Sequence, residues 1–177
     1  MNEEKGLVII YTGLGKGKTT AALGLVLRAV GYKKKCLIIQ FGKAWFTGEL
    51  VGIKKLAPLV KIIQGGKGFL DILGSKVSKN DHVKAAFEAF EILYKEVISG
   101  KWDIVVADEI VGAVHAKVLP FSKLLKLIKD KPVTMDLVLT GRFASNKLIS
   151  LADLVTEMKE IKHPFQKGIL AKKGVDF

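Results

Sequence analysis

Residues 13–20 read Gly13-Leu14-Gly15-Lys16-Gly17-Lys18-Thr19-Thr20, and their reading decides the fold. They follow an apolar run at 7–11, Leu-Val-Ile-Ile-Tyr, and lead into a helical pattern at 21–30. Strand, glycine loop, Gly-Lys-Thr and helix together form a phosphate-binding context. Glycines let backbone N–H groups turn inward around an anion, and the start of the helix adds the positive end of its dipole. Lys18 is placed to neutralise phosphate oxygens and the Thr19 hydroxyl to sit on Mg²⁺. The spacing is unusual. The common loop is G-x-x-x-x-G-K-[ST], but counting back from Gly17 places Thr12 where its first glycine belongs, and Gly13 lies one step closer. The stretch is a tighter and more basic variant, G-x-G-K-G-K-T-T.

The rest of the chain is consistent with one nucleotide-binding domain over 1–177. A chain of 177 residues with 49% hydrophobic content is long and apolar enough to bury a core. Arg28, Lys33 and Asp103 interrupt the apolar stretches before any reaches membrane-spanning length. The opening residues, Met1-Asn2-Glu3-Glu4-Lys5, are polar and do not read as a secretory signal. A lone cysteine, Cys36, falls in an apolar strand pattern and reads as a buried thiol, which suits a reducing, cytoplasmic home. The net charge of +12 favours anionic ligands. The lysines are dispersed, however, and no alternation of basic and aromatic residues marks a nucleic-acid surface.

Taken in order, apolar runs at 36–41 and 60–63 predict the next two strands, with a loop at 42–48 and a short helix at 49–57 stopped by Pro58. Gly31 stands where a helix-terminating glycine belongs. Residues 64–80 are rich in glycine and lysine without a period, and predict a long functional loop. Ser78 and Asp81 are spaced to cap a helix whose apolar face carries Val83, Phe87, Phe90, Leu93, Tyr94 and Val97. A strand at 103–107 ends in Asp108-Glu109. A short helix or loop follows, then a helix at 121–129, a strand at 137–140, one or two helical turns at 147–152, a last strand at 154–158, and a basic tail at 162–177. Strands alternating with helices predict an α/β fold with a mostly parallel sheet and flanking helices, the P-loop NTPase (RecA-like) type. Ligands in such sheets gather at the carboxyl ends of the strands.

Two further strand ends carry chemistry. Asp108 and Glu109 stand where an acid reaches the Mg²⁺ of a phosphate loop, and the residue pattern leaves open which of them ligates. Arg142, in Thr140-Gly141-Arg142, is placed to touch a phosphate or to form a structural ion pair. His82, His115 and His163 lack metal-ligand spacing and read as surface or helix-end residues.

Together, several segments resemble the P-loop corrinoid adenosyltransferases, the ATP:cob(I)alamin adenosyltransferases of the bacterial cobalamin pathway. They are the loop with Thr20, Gln40-Phe41, Gly66-x-Gly68-Phe69, Asp108-Glu109, Thr140-Gly141-Arg142, 152–158 (Ala-Asp-Leu-Val-Thr-Glu-Met) and Lys162-His163-Pro164-Phe165-x-x-Gly168-Ile169. The resemblance spans nearly the whole chain in order. It implies transfer of the 5′-deoxyadenosyl group of ATP to a cobalt(I) corrinoid with release of triphosphate, the nucleotide lying reversed relative to other P-loop enzymes. By motif, Gly13, Gly15, Lys16, Gly17, Lys18, Thr19 and Thr20 would hold the triphosphate, and Thr19 with Glu109 and Asp108 would hold Mg²⁺. Lys18, Phe69 and Arg142 would serve catalysis, with Phe69 beside the corrin helping to displace its lower axial ligand. A flavoprotein electron donor and a homodimer are expected by the same resemblance; a membrane or nucleic acid is not. The sequence departs from the family on the corrin side. Asp71 stands where a Trp is usual, and Val111-Gly112 where many members carry Asn-Tyr. The short N-terminus lacks the extension by which some members cover the site, so the cover must come from elsewhere in the chain. Two other classes fit the loop alone: a P-loop ATPase or kinase, and a nucleic-acid-associated nucleotide switch.

Overall fold

The computed structural model describes residues 4–66, 68 and 78–177. Its six strands are β1 (Val8–Thr12), β2 (Cys36–Phe41), β3 (Val60–Gly65), β4 (Ile104–Asp108), β5 (Asp136–Thr140) and β6 (Leu154–Glu157). The helices are α1 (Lys18–Gly31), α2 (Gly48–Lys54), α3 (Lys79–Ile98), α4 (Ile110–His115), α5 (Phe121–Asp130) and α6 (Asn146–Ile149), with a 3₁₀ turn at Pro164–Lys167. All strand pairings are parallel, in the order β3-β2-β4-β5-β1-β6.

The apolar runs form strands because both of their faces are covered. Side chains alternate across a strand, and the two buried clusters divide accordingly. Leu37, Ile39, Val105, Ala107, Leu137 and Leu139 face Phe90 and Leu93 of α3 and Leu124 and Leu127 of α5. Cys36, Ile38, Ile104, Val106 and Val138 face Ala22, Val26 and Ala29 of α1. Each fully buried aliphatic side chain contributes about 1.5–3 kcal/mol, so a one-residue slip in any central strand would cost several such terms at once.

The order of strands creates the site. From β1, α1 carries the chain over β5 and β4 to β2, so the carboxyl ends of β1, β5, β4 and β2 form one row. Tyr11 pairs with Thr140, and Gln40 with Asp108. The phosphate loop, Thr140, Asp108 and Gln40 therefore meet at one edge although Thr12 and Thr140 are 128 positions apart.

Several local expectations are refined. Ser78 caps α3 as its spacing implied, its hydroxyl accepting from the Asp81 N–H at 3.2 Å. Gly31 is the last residue of α1, and the left-handed residue is Lys33, with φ 60°. The helix therefore includes the glycine, and Lys33 makes the turn into β2. α2 stops at Lys54, before Pro58, and α6 is a single turn capped by Ser145. Of the surface and helix-end readings of the histidines, His82 follows the second: it stands in the first turn of α3 and is buried, 7% exposed. Phe69 and Asp71 lie outside the described residues.

Cys36 is fully buried. Burial, helped by the charge of Asp103, pushes its thiol up from 9.0 to about 11. Below pH 9 both folded and unfolded chains keep this proton, so its contribution is greatest there. Between about pH 9 and 11 the unfolded chain releases it first and stability falls. At about 1.4 kcal/mol per unit, the loss should reach about 2–3 kcal/mol. Urea unfolding at pH 8 and 11 should show a smaller decline for Cys36→Val than for the parent chain.

Candidate functional site

The site begins at the loop between β1 and α1. Gly13 has φ 97°, a conformation that side chains rarely adopt, and a Cβ there would lie 2.4 Å from the Met158 carbonyl. Only glycine lets the loop pass so close to the end of β6. The Gly15 N–H donates to that same carbonyl at 2.7 Å. The Lys18 ammonium donates to the carbonyls of Gly13 at 2.8 Å and Gly15 at 2.7 Å, which curls the loop around it. Burial lowers the Lys18 pKa, Arg142 lowers it further, and the charges of Glu109 and Asp108 oppose the shift.

Asp108 ends β4 and is 1% exposed. Its Oδ1 accepts from the Thr19 hydroxyl at 2.8 Å and from the Thr140 hydroxyl at 2.7 Å. Its Oδ2 accepts from Gln40 Nε2 at 3.2 Å and lies 3.3 Å from Lys43 Nζ. Lys43 also reaches Glu49 Oε1 at 3.1 Å, as does Gln40 Nε2. Hydrogen bonding to Gln40 and Lys43 outweighs burial and holds the Glu49 carboxyl below its ordinary value, although burial is the largest single influence and acts the other way. A buried carboxylate with both oxygens doubly engaged is held in one orientation.

Glu109 behaves differently from its neighbour. Its backbone is left-handed, at φ 64°, and its N–H donates to the Thr140 hydroxyl at 2.9 Å. Its side chain lies over Gly112. A Cβ on residue 112 would come within 2.4 Å of Glu109 Oε1, so Gly112 leaves the space in which the carboxylate lies. Burial, reinforced by Asp108, raises the Glu109 pKa against the pull of Lys18 and Arg142. Strained backbone of this kind is typical of functional positions.

Two cavities flank this row. A cleft of about 850 Å³ is lined by Lys16, Lys18 and Thr19 of the loop, by Lys43 and Glu49, and across from them by residues 174–177. A smaller, apolar cavity of about 200 Å³ includes Phe41, Ala113 and Val118 in its walls, with His82, His115 and Glu109. His115 stacks on Phe143 there, with ring centroids 4.3 Å apart. Gly66 and Gly68, from the expected glycine-rich loop, border this second cavity. Arg142 lines both spaces and stands where they meet.

The sequence-predicted residues at 13–20, Asp108, Glu109 and Arg142 thus lie at one sheet edge. Lys43 and Glu49 were missed. A lysine two residues after a strand's carboxyl end and an acid opening the next helix were the available signals. The tail at 162–177 is basic and polar in sequence and carries the Lys162–Ile169 signature; in the structure His163, Phe165 and Asp176 line the cleft. Among the described residues no group of three His, Cys, Asp or Glu side chains forms a metal cluster, and no helix is long and apolar enough to cross a membrane.

An all-parallel sheet with a glycine loop closing on lysine and threonine defines a P-loop nucleotide-binding protein of RecA-like fold. The KaiC-like protein PH0186 of Pyrococcus horikoshii OT3 shares that fold, with a TM-score of 0.52 and 15% identity over 86% of this chain and 73% of its own. The chain belongs to the family described as ATP:corrinoid adenosyltransferase BtuR/CobO/CobP, whose model matches residues 4–177. The corrinoid adenosyltransferases of a Sinorhizobium species and of Escherichia coli (strain K12) are 37% and 30% identical to it. Each match covers 99% of this chain, with 82% and 87% of the relative. The corrinoid adenosyltransferase CobA of Salmonella typhimurium is 30% identical, over 99% of this chain and 87% of its own. The general reaction of this family moves the adenosyl group of ATP to the cobalt of a corrinoid.

Asp108→Asn preserves shape but removes the charge that orients Thr19, Gln40 and Lys43. Titration calorimetry should show ATP affinity falling about tenfold, about 1.4 kcal/mol, as expected for weakening charge-assisted hydrogen bonds that position Thr19, with the far-ultraviolet dichroism unchanged.

Proposed function

We propose that the larger cleft holds ATP with its triphosphate against Gly13–Thr20, and that the apolar cavity receives part of the corrinoid, with Arg142 between them. The observation that carries this reading is the meeting of a lysine-lined cleft and an apolar cavity at one arginine. A donor set of the Thr19 hydroxyl and the Asp108 carboxylate, hard oxygens already 2.8 Å apart, fits Mg²⁺. Glu109 approaches from the apolar side and completes the acidic pair. Mg²⁺ bound there would neutralise charge on the triphosphate.

The reduced cobalt is the nucleophile, so the protein need supply none. Its electron pair forms a bond to the 5′ carbon of ATP. The bond from that carbon to the α-phosphate oxygen breaks, and its electrons remain on the departing triphosphate. Charge therefore grows on the phosphate side. Lys18, Lys16 and the loop N–H groups face that charge, and Arg142 lies at the junction where the bond breaks. Holding the two substrates in separate, adjoining spaces supplies the orientation such a displacement requires. ATP lies reversed in this arrangement, so that the leaving group is the whole triphosphate chain. Phe69, with the usual Trp replaced by Asp71, belongs to the corrin side of the same reading. In the wider setting, a flavoprotein reduces the cobalt and the enzyme works as a cytoplasmic homodimer.

Pure protein incubated with ATP, Mg²⁺ and chemically reduced cob(I)alamin should yield adenosylcobalamin and triphosphate in equal amounts. ADP or inorganic phosphate as the product would instead indicate an ATPase or kinase. Lys18→Ala should remove measurable triphosphate formation while leaving the fold intact; wild-type ATP affinity in that variant would show the phosphates to lie elsewhere.

A further inference from the structure

The tail brings an acid into the phosphate cleft. Residues 172–177 form a tight turn. The Asp176 N–H donates to the Lys172 carbonyl at 2.8 Å, the Val175 N–H to the same carbonyl at 3.1 Å, and the Gly174 N–H to the Phe177 carbonyl at 2.9 Å. Gly174 is left-handed, at φ 73°. This turn fixes the Asp176 carboxylate: Oδ2 accepts from the Lys172 N–H at 2.7 Å, and Oδ1 is paired with the Lys16 ammonium. Phe177 lies against Gly48 on the opposite wall, so the turn crosses the cleft.

We infer that Asp176 is an internal anion that exchanges with triphosphate for Lys16, and so assists release of the product. The inference rests on the triphosphate reading of the loop. The groups that stabilise a leaving triphosphate also hold it after the reaction, and release of a tightly held product limits many enzymes. A carboxylate fixed beside Lys16 gives that lysine a partner as soon as the product departs. Lys16 and Asp176 keep 40% and 28% of their side-chain surface exposed. An ion pair of that exposure is weak and exchangeable, unlike the buried pairing of Lys43 with Asp108. Lys16 and the Lys172 N–H hold the Asp176 carboxyl below its ordinary range, so it is an anion at neutral pH. Lys18 is bound to loop carbonyls and has no carboxylate partner among the described residues, so the exchange is specific to Lys16.

The test compares inorganic tripolyphosphate binding to the full chain and to Asp176→Asn, by calorimetry with Mg²⁺ present. The variant should bind about two- to fivefold more tightly, the range expected for removing one exposed competitor, and product inhibition by tripolyphosphate should strengthen to match. Asp176→Glu should restore the parent affinity. Equal or weaker binding in Asp176→Asn overturns the exchange while leaving the triphosphate site standing. No binding to the parent chain overturns both readings. Should the variant fail to fold, hydrogen exchange of the parent decides. Uptake at 172–177 should rise on saturation with tripolyphosphate, and unchanged or reduced uptake overturns the inference.

Discussion

The Asp108 carboxylate is the constraint on which the site depends. It is buried at the end of a central strand, where an isolated charge would be strongly disfavoured. It persists because Thr19, Thr140, Gln40 and Lys43 all engage it, and these come from α1, β5, β2 and the loop after β2. Removing one partner from such a buried set typically costs about 3–5 kcal/mol, because the remaining charge is left uncompensated. The same contacts fix Thr19 at the start of α1, and with it the phosphate loop. Fold and site are therefore coupled through one side chain.

Around that constraint the strand order divides the labour. The cleft on the loop side gathers cations: Lys16, Lys18 and Lys43. The cavity on the other side is apolar, and among the described residues its charged or titratable lining side chains are Glu109, Arg142 and two histidines. The left-handed turn at Glu109 separates the two spaces. It sends consecutive acids in different directions, Asp108 into the hydrogen-bonded row and Glu109 into the space left by Gly112. The departure at Val111-Gly112 is thus accommodated structurally: the glycine makes room for the carboxylate beside it.

The tail forms part of the lining of the lysine-rich cleft. His163 caps the 3₁₀ turn through Nδ1, which accepts from the Phe165 N–H at 3.2 Å, and the chain then returns across the loop to Lys16. A segment that looked like a solvated basic end is a wall of the lysine-lined cleft. Its charge count was misleading because a single acid, Asp176, is placed by backbone geometry where it matters.

The sequence by itself determined the parallel sheet, the phosphate loop and the family. These rest on local patterns: apolar runs with both faces hydrophobic, glycines at fixed offsets from Lys18 and Thr19, and short signatures in order. It also placed Asp108, Glu109 and Arg142 at strand ends. Only the tertiary structure decided which acid meets Thr19, since that depends on the backbone turn at Glu109. It alone brought Lys43 and Gln40 onto Asp108 and Glu49 onto both of them, turned His82 into a cavity, and laid Asp176 on Lys16. Those contacts join residues up to 160 positions apart, and they arise from strand order and chain return, which no local periodicity encodes.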